Sequence, residues 1–139
     1  EYIHTIDTKG RLIMPAKYRK DLGASFHITK GMDHCLFVYP EEEWKNFGEK
    51  ILNLPVSVRE GRAIQRLFYS GAMEAQLDKQ GRVLLPPNLR EYAGIDKEVI
   101  LIGVATRIEI WDLERWSNYS TAEEMDYDLL MEKITDLDL

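Results

Sequence analysis

The stretch Asp7-Thr-Lys-Gly-Arg11-Leu-Ile-Met-Pro15 recurs as Asp78-Lys-Gln-Gly-Arg82-Val-Leu-Leu-Pro86. Each holds an Asp, a Lys, a Gly and an Arg, followed by three apolar residues and a Pro. The match extends outward: Arg19 falls on Arg90 and Gly23 on Gly94. One extra residue in the second copy then shifts the register. After it Gly31 meets Gly103, Leu36 meets Ile108, Val38 meets Ile110, Tyr39 meets Trp111, Trp44 meets Trp116 and Phe47 meets Tyr119. So many special residues in one order, with one gap, identify an internal duplication.

Each copy has one coarse plan. Tyr2–Ile6 reads as a strand into the charged turn, and Arg11–Met14 leaves it, as a β-hairpin or a looser strand–turn–strand. Gly10 and Gly81 suit a backbone position with φ > 0, and Asp7 and Asp78 can bond the turn backbone. Pro15 opens a short helix that Gly23 stops. Phe26–Thr29 and Leu36–Tyr39 read as strands around a turn at Gly31, and Pro40-Glu-Glu-Glu opens a helix with an acidic first turn. The second copy predicts strands 73–77 and 83–85, a helix from Pro86, strands 98–102 and 107–111, and a helix over 112–119. Between the copies, Ser57-x-x-Glu60 has the form of a capping box, with Val58, Ile64, Leu67 and Phe68 as the buried side of the helix. Thr121-x-x-Glu124 predicts a last helix docked by Met125, Leu129 and Leu130.

This divides the chain into repeat 1 (residues 1–47), a helical linker (48–71), repeat 2 (72–119) and an acidic tail (120–139). A repeat of roughly 45 residues is too small to keep a core alone, so the copies are expected to interlock. The expected class is α+β, mainly β: two half-barrels forming one pseudo-two-fold unit with flanking helices.

Composition narrows the function. The 139 residues carry a net charge of −6. Residues 121–139 account for all of it, with seven carboxylates against Lys133 alone, and the remainder is neutral overall. Within that remainder residues 7–20 form a basic patch of Lys9, Arg11, Lys17, Arg19 and Lys20 against Asp7. The single Cys35 allows no internal disulfide, fits a reducing cytoplasm and, beside His34, falls short of a four-ligand zinc site. No apolar run is long enough for a transmembrane helix, and no basic-then-apolar leader opens the chain. Because it begins at Glu1 without Met, a few native residues are expected before it. No nucleotide, hydrolase or metalloprotease motif occurs, and His34 and Cys35, as neighbours on a strand, point to opposite faces. No catalytic residue, metal or cofactor is therefore assigned, and Trp44 and Trp116 read as core.

The charged turns have two readings. An Asp–Arg pair can simply close a turn, but exposed pairs contribute only about 0–1 kcal/mol. Alternatively, Asp7 and Asp78 orient Arg11 and Arg82, whose donor forks match phosphate oxygens or the guanine edge, with Lys9 and Lys79 as added charge.

These stretches, with Gly31-Met-Asp-His-Cys-Leu-Phe-Val-Tyr-Pro40, Arg66-Leu-Phe-Tyr-Ser-Gly71 and Ile108-Glu-Ile-Trp111, resemble the bacterial MraZ family and its two DxxxR motifs. The strand–turn–strand units resemble AbrB/SpoVT/MazE half-barrels. The resemblance runs from Glu1 to about Tyr119. It implies a double-split β-barrel made by one chain, and a ring-shaped homo-oligomer. It also implies a nucleoid-associated regulator of the division and cell-wall gene cluster that binds short promoter direct repeats in duplex DNA through Lys9, Arg11, Lys79 and Arg82. A MazE-like antitoxin module is the alternative, weakened by the two fused copies and the helical tail.

Overall fold

In the computed structural model, which describes residues 1–137, the two copies fold into matched sets of elements. The first comprises β1 (Tyr2–Thr5), β2 (Arg11–Ile13), α1 (Ala16–Leu22), β3 (Phe26–Lys30), β4 (Leu36–Pro40) and α2 (Glu41–Leu52). Helix α3 (Arg59–Ser70) follows. The second comprises β5 (Met73–Ala75), β6 (Arg82–Leu84), α4 (Pro87–Tyr92), β7 (Glu98–Val104), β8 (Arg107–Asp112) and α5 (Leu113–Thr121), with α6 (Tyr127–Asp136) after it. Prolines set the helix starts as expected: Pro15 caps α1, Pro40 caps α2 and Pro86 caps α4. Gly23, at φ 72°, ends α1 and returns its N–H to Arg19 O.

Strand pairing exchanges partners between the copies. All pairs are antiparallel, in a six-stranded sheet of order β1-β7-β8-β4-β3-β5 and a two-stranded sheet of β2 and β6. Swapping each strand for its duplicate reverses the first order into itself, which is a pseudo-two-fold. Its axis passes between β4 and β8, where Phe37 faces Glu109, and between β2 and β6, where Leu12 faces Val83. The hairpin reading of residues 2–14 is thereby corrected: β1 pairs with β7 and β2 with β6, each in the other copy. A strand of three or four residues holds few ladder bonds, so a longer or symmetry-matched partner outcompetes the sequence neighbour. The α+β class with two interlocked repeats stands.

Alternation along the strands builds two apolar clusters, one on each side of the large sheet. Leu12, Met14, Phe26, Ile28, Leu36, Val38, Val83, Leu85, Leu89, Leu101 and Ile110 are 0–1% exposed and fill the space enclosed with β2, β6, α1 and α4. On the outer side, Phe37, Tyr39, Ile100 and Trp111 meet α2, α3 and α5 through Trp44, Phe68 and Trp116. Burial of each large side chain contributes about 1.5–3 kcal/mol. Covering both faces is why the central strands read as continuous apolar runs.

Two helix expectations are corrected. The N-cap of α3 is Val58, with no side-chain capping bond, so Ser57 and Glu60 form no box. Of its predicted buried side only Phe68 is buried; Val58, Ile64 and Leu67 are 43%, 45% and 60% exposed. The sheet meets α3 along the narrow line of Gly61 and Phe68, where Gly61 lets the backbone approach Pro55. The last helix starts at Tyr127, after a 3-10 turn at Glu123–Met125, with the Asp126 side chain accepting from Asp128 N and Leu129 N. Met125 and Leu130 are half-buried, whereas Leu129 is 47% exposed, so it does not dock within the chain. The tail's final residues, Asp138 and Leu139, lie outside the described residues.

Candidate nucleic-acid interface

The repeated stretch folds into two matched turns. Asp7 Oδ1 accepts from Lys9 N and Arg11 N, both at 2.9 Å, and Asp7 Oδ2 accepts from Arg11 Nε at 2.7 Å. Asp78 repeats the arrangement with Gln80 N and Arg82 N at 2.9 Å and Arg82 Nε at 2.8 Å. One carboxylate thus fixes the turn and the Arg side chain together, which separates this Asp–Arg pair from a loose surface ion pair. The Arg11 N–H holds the Asp7 carboxyl down at about 2, helped by the Arg11 guanidinium and the Lys9 N–H. The Arg82 N–H lowers Asp78 in the same way.

Gly10 and Gly81 adopt φ of 84° and 77°, a conformation that L side chains rarely take. A second constraint comes from across the pseudo-axis. A Cβ on Gly81 would lie 2.6 Å from Arg19 Cζ, and one on Gly10 would lie 3.0 Å from both Arg90 Cζ and Leu85 O. Met14 N donates to Gly81 O and Leu85 N to Gly10 O, each at 2.9 Å, so each copy's turn is tied to the other's helix entry. Arg19 Nε donates to Met14 O at 2.7 Å and Arg90 Nε to Leu85 O at 2.9 Å, which presses both guanidinium groups against these glycines. This supporting role of Arg19 and Arg90 was missing from the sequence reading, although their match across the repeat was visible.

The β2–β6 pair brings the predicted residues together. Arg11 faces Leu84 and Ile13 faces Arg82, while Leu12 and Val83 point into the core. Arg11, Ile13, Arg82 and Leu84 therefore share one outer face, on which the two arginines are diagonal neighbours at about 7–8 Å. Ile13 and Leu84 are 45% and 54% exposed there. Lys9 and Lys79 are exposed on the turns. Each motif Arg uses Nε for its Asp, leaving both terminal Nη groups without a hydrogen-bond partner among the described residues. The face thus offers two oriented donor forks with free N–H groups, flanked by two ammonium groups.

The other titratable groups do not converge. Cys35 is fully buried, its Sγ donates to Met32 O at 3.2 Å, and burial with Glu109 and Asp33 nearby pushes its thiol up to about 12. His34 is exposed and stacks on Tyr92 at 5.1 Å. His27 stacks on Trp44 at 4.6 Å, with Nδ1 3.3 Å from Glu41 Oε2. Among the described residues no three His, Cys, Asp or Glu side chains group as metal ligands, and no helix is long and apolar enough to cross a membrane.

The sequence profile of the family described as "MraZ protein, putative antitoxin-like" matches the chain twice, over residues 1–67 and 68–136. A protein of Carboxydothermus hydrogenoformans named Transcriptional regulator MraZ is 54% identical over 136 residues, covering 98% of this chain and 95% of that one. One of the same name from Moorella thermoacetica is 53% identical over 139 residues, covering 100% and 97%. Another, from Desulfitobacterium hafniense, is 56% identical over 137 residues, covering 99% and 96%.

Proposed function

The chain belongs to the MraZ family, and on that premise we propose that it is a DNA-binding regulator of transcription and not an enzyme. The observation that carries this reading is the pair of Asp-held arginines on the exposed β2–β6 face. In the finer form of the proposal, Arg11 and Arg82 read base edges or phosphates, and Lys9 and Lys79 add phosphate contacts. Asp7, Gly10, Asp78 and Gly81 hold the turns in shape. Phosphate contacts supply affinity and salt dependence; bidentate Arg contacts supply base discrimination.

The sites read are short direct repeats in the promoter of the division and cell-wall gene cluster, met by a ring of copies displaying these turns. Such display multiplies weak contacts through effective concentration. The functional unit is the pair of repeats, residues 1–47 and 72–119, held by the helical linker 48–71, with the acidic tail 120–139 outside it. The protein works in the cytoplasm on nucleoid DNA.

Titration of a labelled duplex taken from upstream of the protein's own coding sequence tests the reading. Arg11→Ala is expected to weaken binding about 5–150-fold, the equivalent of about 1–3 kcal/mol for one bidentate contact, and to reduce the salt slope by about 1. Unchanged affinity and slope at ~150 mM salt would remove Arg11 from the interface.

A further inference from the structure

Two apolar surfaces of the chain lack a partner. The first is a groove of about 340 Å³ beside α3, walled by Phe37, Phe47, Ile51, Ile64, Leu67 and Phe68. Ile64 and Leu67 stand 45% and 60% exposed at its lip. The second is the stripe Tyr127, Leu130, Met131 and Ile134 on α6, whose spacing of i, i+3, i+4 and i+7 places all four on one face. Tyr127, Met131 and Ile134 are 75%, 47% and 43% exposed, and the one sizeable contact of α6 is with the turn Glu123–Met125 just before it. Scattered apolar residues on a surface are ordinary; a whole helix stripe and a walled groove are not.

We infer that α6 of one copy seats in the α3 groove of a second copy, joining copies head to tail. The inference rests on the self-assembling reading above and names its contact. The spacing on α6 is the one by which amphipathic helices enter apolar grooves, and its four anchors span about 10 Å of helix. Charge favours this occupant: α3, one wall of the groove, carries Arg59, Arg62 and Arg66 against Glu60, and Lys30 lines the groove itself. Helix α6 carries Asp128, Glu132 and Asp136 against Lys133, the opposite balance.

The duplication points the same way. Helix α6 follows α5 as α3 follows α2, and α3 shows how such a helix seats on this side of the sheet, with Phe68 stacked on Trp44 at 4.7 Å. Donor and acceptor are different patches, so the contact is heterologous. A heterologous contact repeats from copy to copy until the rotation closes a ring.

The test uses the full chain in three forms: wild type, a helix variant (Met131→Asp with Ile134→Asp) and a groove variant (Leu67→Asp). All three positions are solvent-exposed, so folding is retained and is checked by far-UV circular dichroism. Sedimentation is expected to show a multi-copy wild type and two variants that run as the single chain of 16.2 kDa. An equimolar mixture of the variants is expected to form a two-chain species, because one keeps an intact groove and the other an intact α6. A helix variant of wild-type mass, or a mixture that stays single-chain, would overturn the inference. So would a single-chain wild type whose melting temperature falls in both variants, since α6 would then sit in its own groove. Arg11→Ala, run alongside, is expected to keep the wild-type mass and lose DNA. If docking fails while Arg11→Ala still loses DNA, only the contact is wrong; if docking holds while Arg11→Ala binds normally, only the DNA reading is wrong.

Discussion

Replacing Gly81 with Ala probes both constraints on the charged turn, and Gly23→Ala separates them. Both glycines have positive φ, 77° and 72°, so Ala brings the same backbone strain to each, about 1–2 kcal/mol. At Gly23 nothing lies within 4 Å of the new Cβ, so strain is the whole cost. At Gly81 the Cβ would fall 2.6 Å from Arg19 Cζ and 2.8 Å from Arg19 Nε. The guanidinium must then leave, and its 2.7 Å bond to Met14 O goes with it, a further ~0.5–1.5 kcal/mol. Urea denaturation at constant m-value is expected to show Gly81→Ala costing about 1.5–3.5 kcal/mol, more than Gly23→Ala by the hydrogen-bond share. In the background of Arg19→Ala the difference should vanish, since the colliding group is gone. DNA affinity should fall for Gly81→Ala and stay unchanged for Gly23→Ala. Equal stability costs for the two glycines would refute the cross-copy contact between Arg19 and the second turn.

Other outcomes follow from the same geometry. The Asp7 carboxyl, held at about 2 against an ordinary 3.8, favours the folded state above 3.8 and loses that advantage as pH falls toward 2. The stability gap between wild type and Asp7→Asn should therefore narrow over that window in acid denaturation, and a gap that widened would contradict the clamp. Cys35, buried with its thiol near 12, should resist maleimide at pH 8 until the chain unfolds; rapid labelling of the native protein would show the site open. Phe68→Ala removes the ring that α3 stacks on Trp44 and should cost about 3–5 kcal/mol in urea denaturation. A loss under 1 kcal/mol would mean that α3 is held by something else.

Much of the candidate site was legible because its bonds are local. The Asp7 to Arg11 turn closes within five residues, so residue type and spacing specify the carboxylate, the positive-φ glycine and the Arg that the carboxylate holds. Helix starts at Pro15, Pro40 and Pro86 were legible for the same reason, since a proline fixes its own φ wherever it stands. The capping box at Ser57 failed because Val58, not Ser57, takes the N-cap position, so the Ser57 and Glu60 side chains are out of register. The α3 face failed for a different reason: periodicity shows that Ile64, Leu67 and Phe68 are apolar, and says nothing about how wide a strip the sheet covers.

The sequence by itself determined the duplication, the two turns, the α+β class and the gathering of acidity in the tail. It also implied a two-fold relation, because two like copies too small to stand alone find their most consistent packing by exchanging equivalent parts. Only the tertiary structure decided that β1 joins β7 and β2 joins β6, that Arg19 and Arg90 brace the opposite copy's turns, and that the α6 stripe stays bare. Those facts depend on which surfaces meet across 60 or more residues of chain, and neither a local hydrogen bond nor a hydrophobic period carries that information.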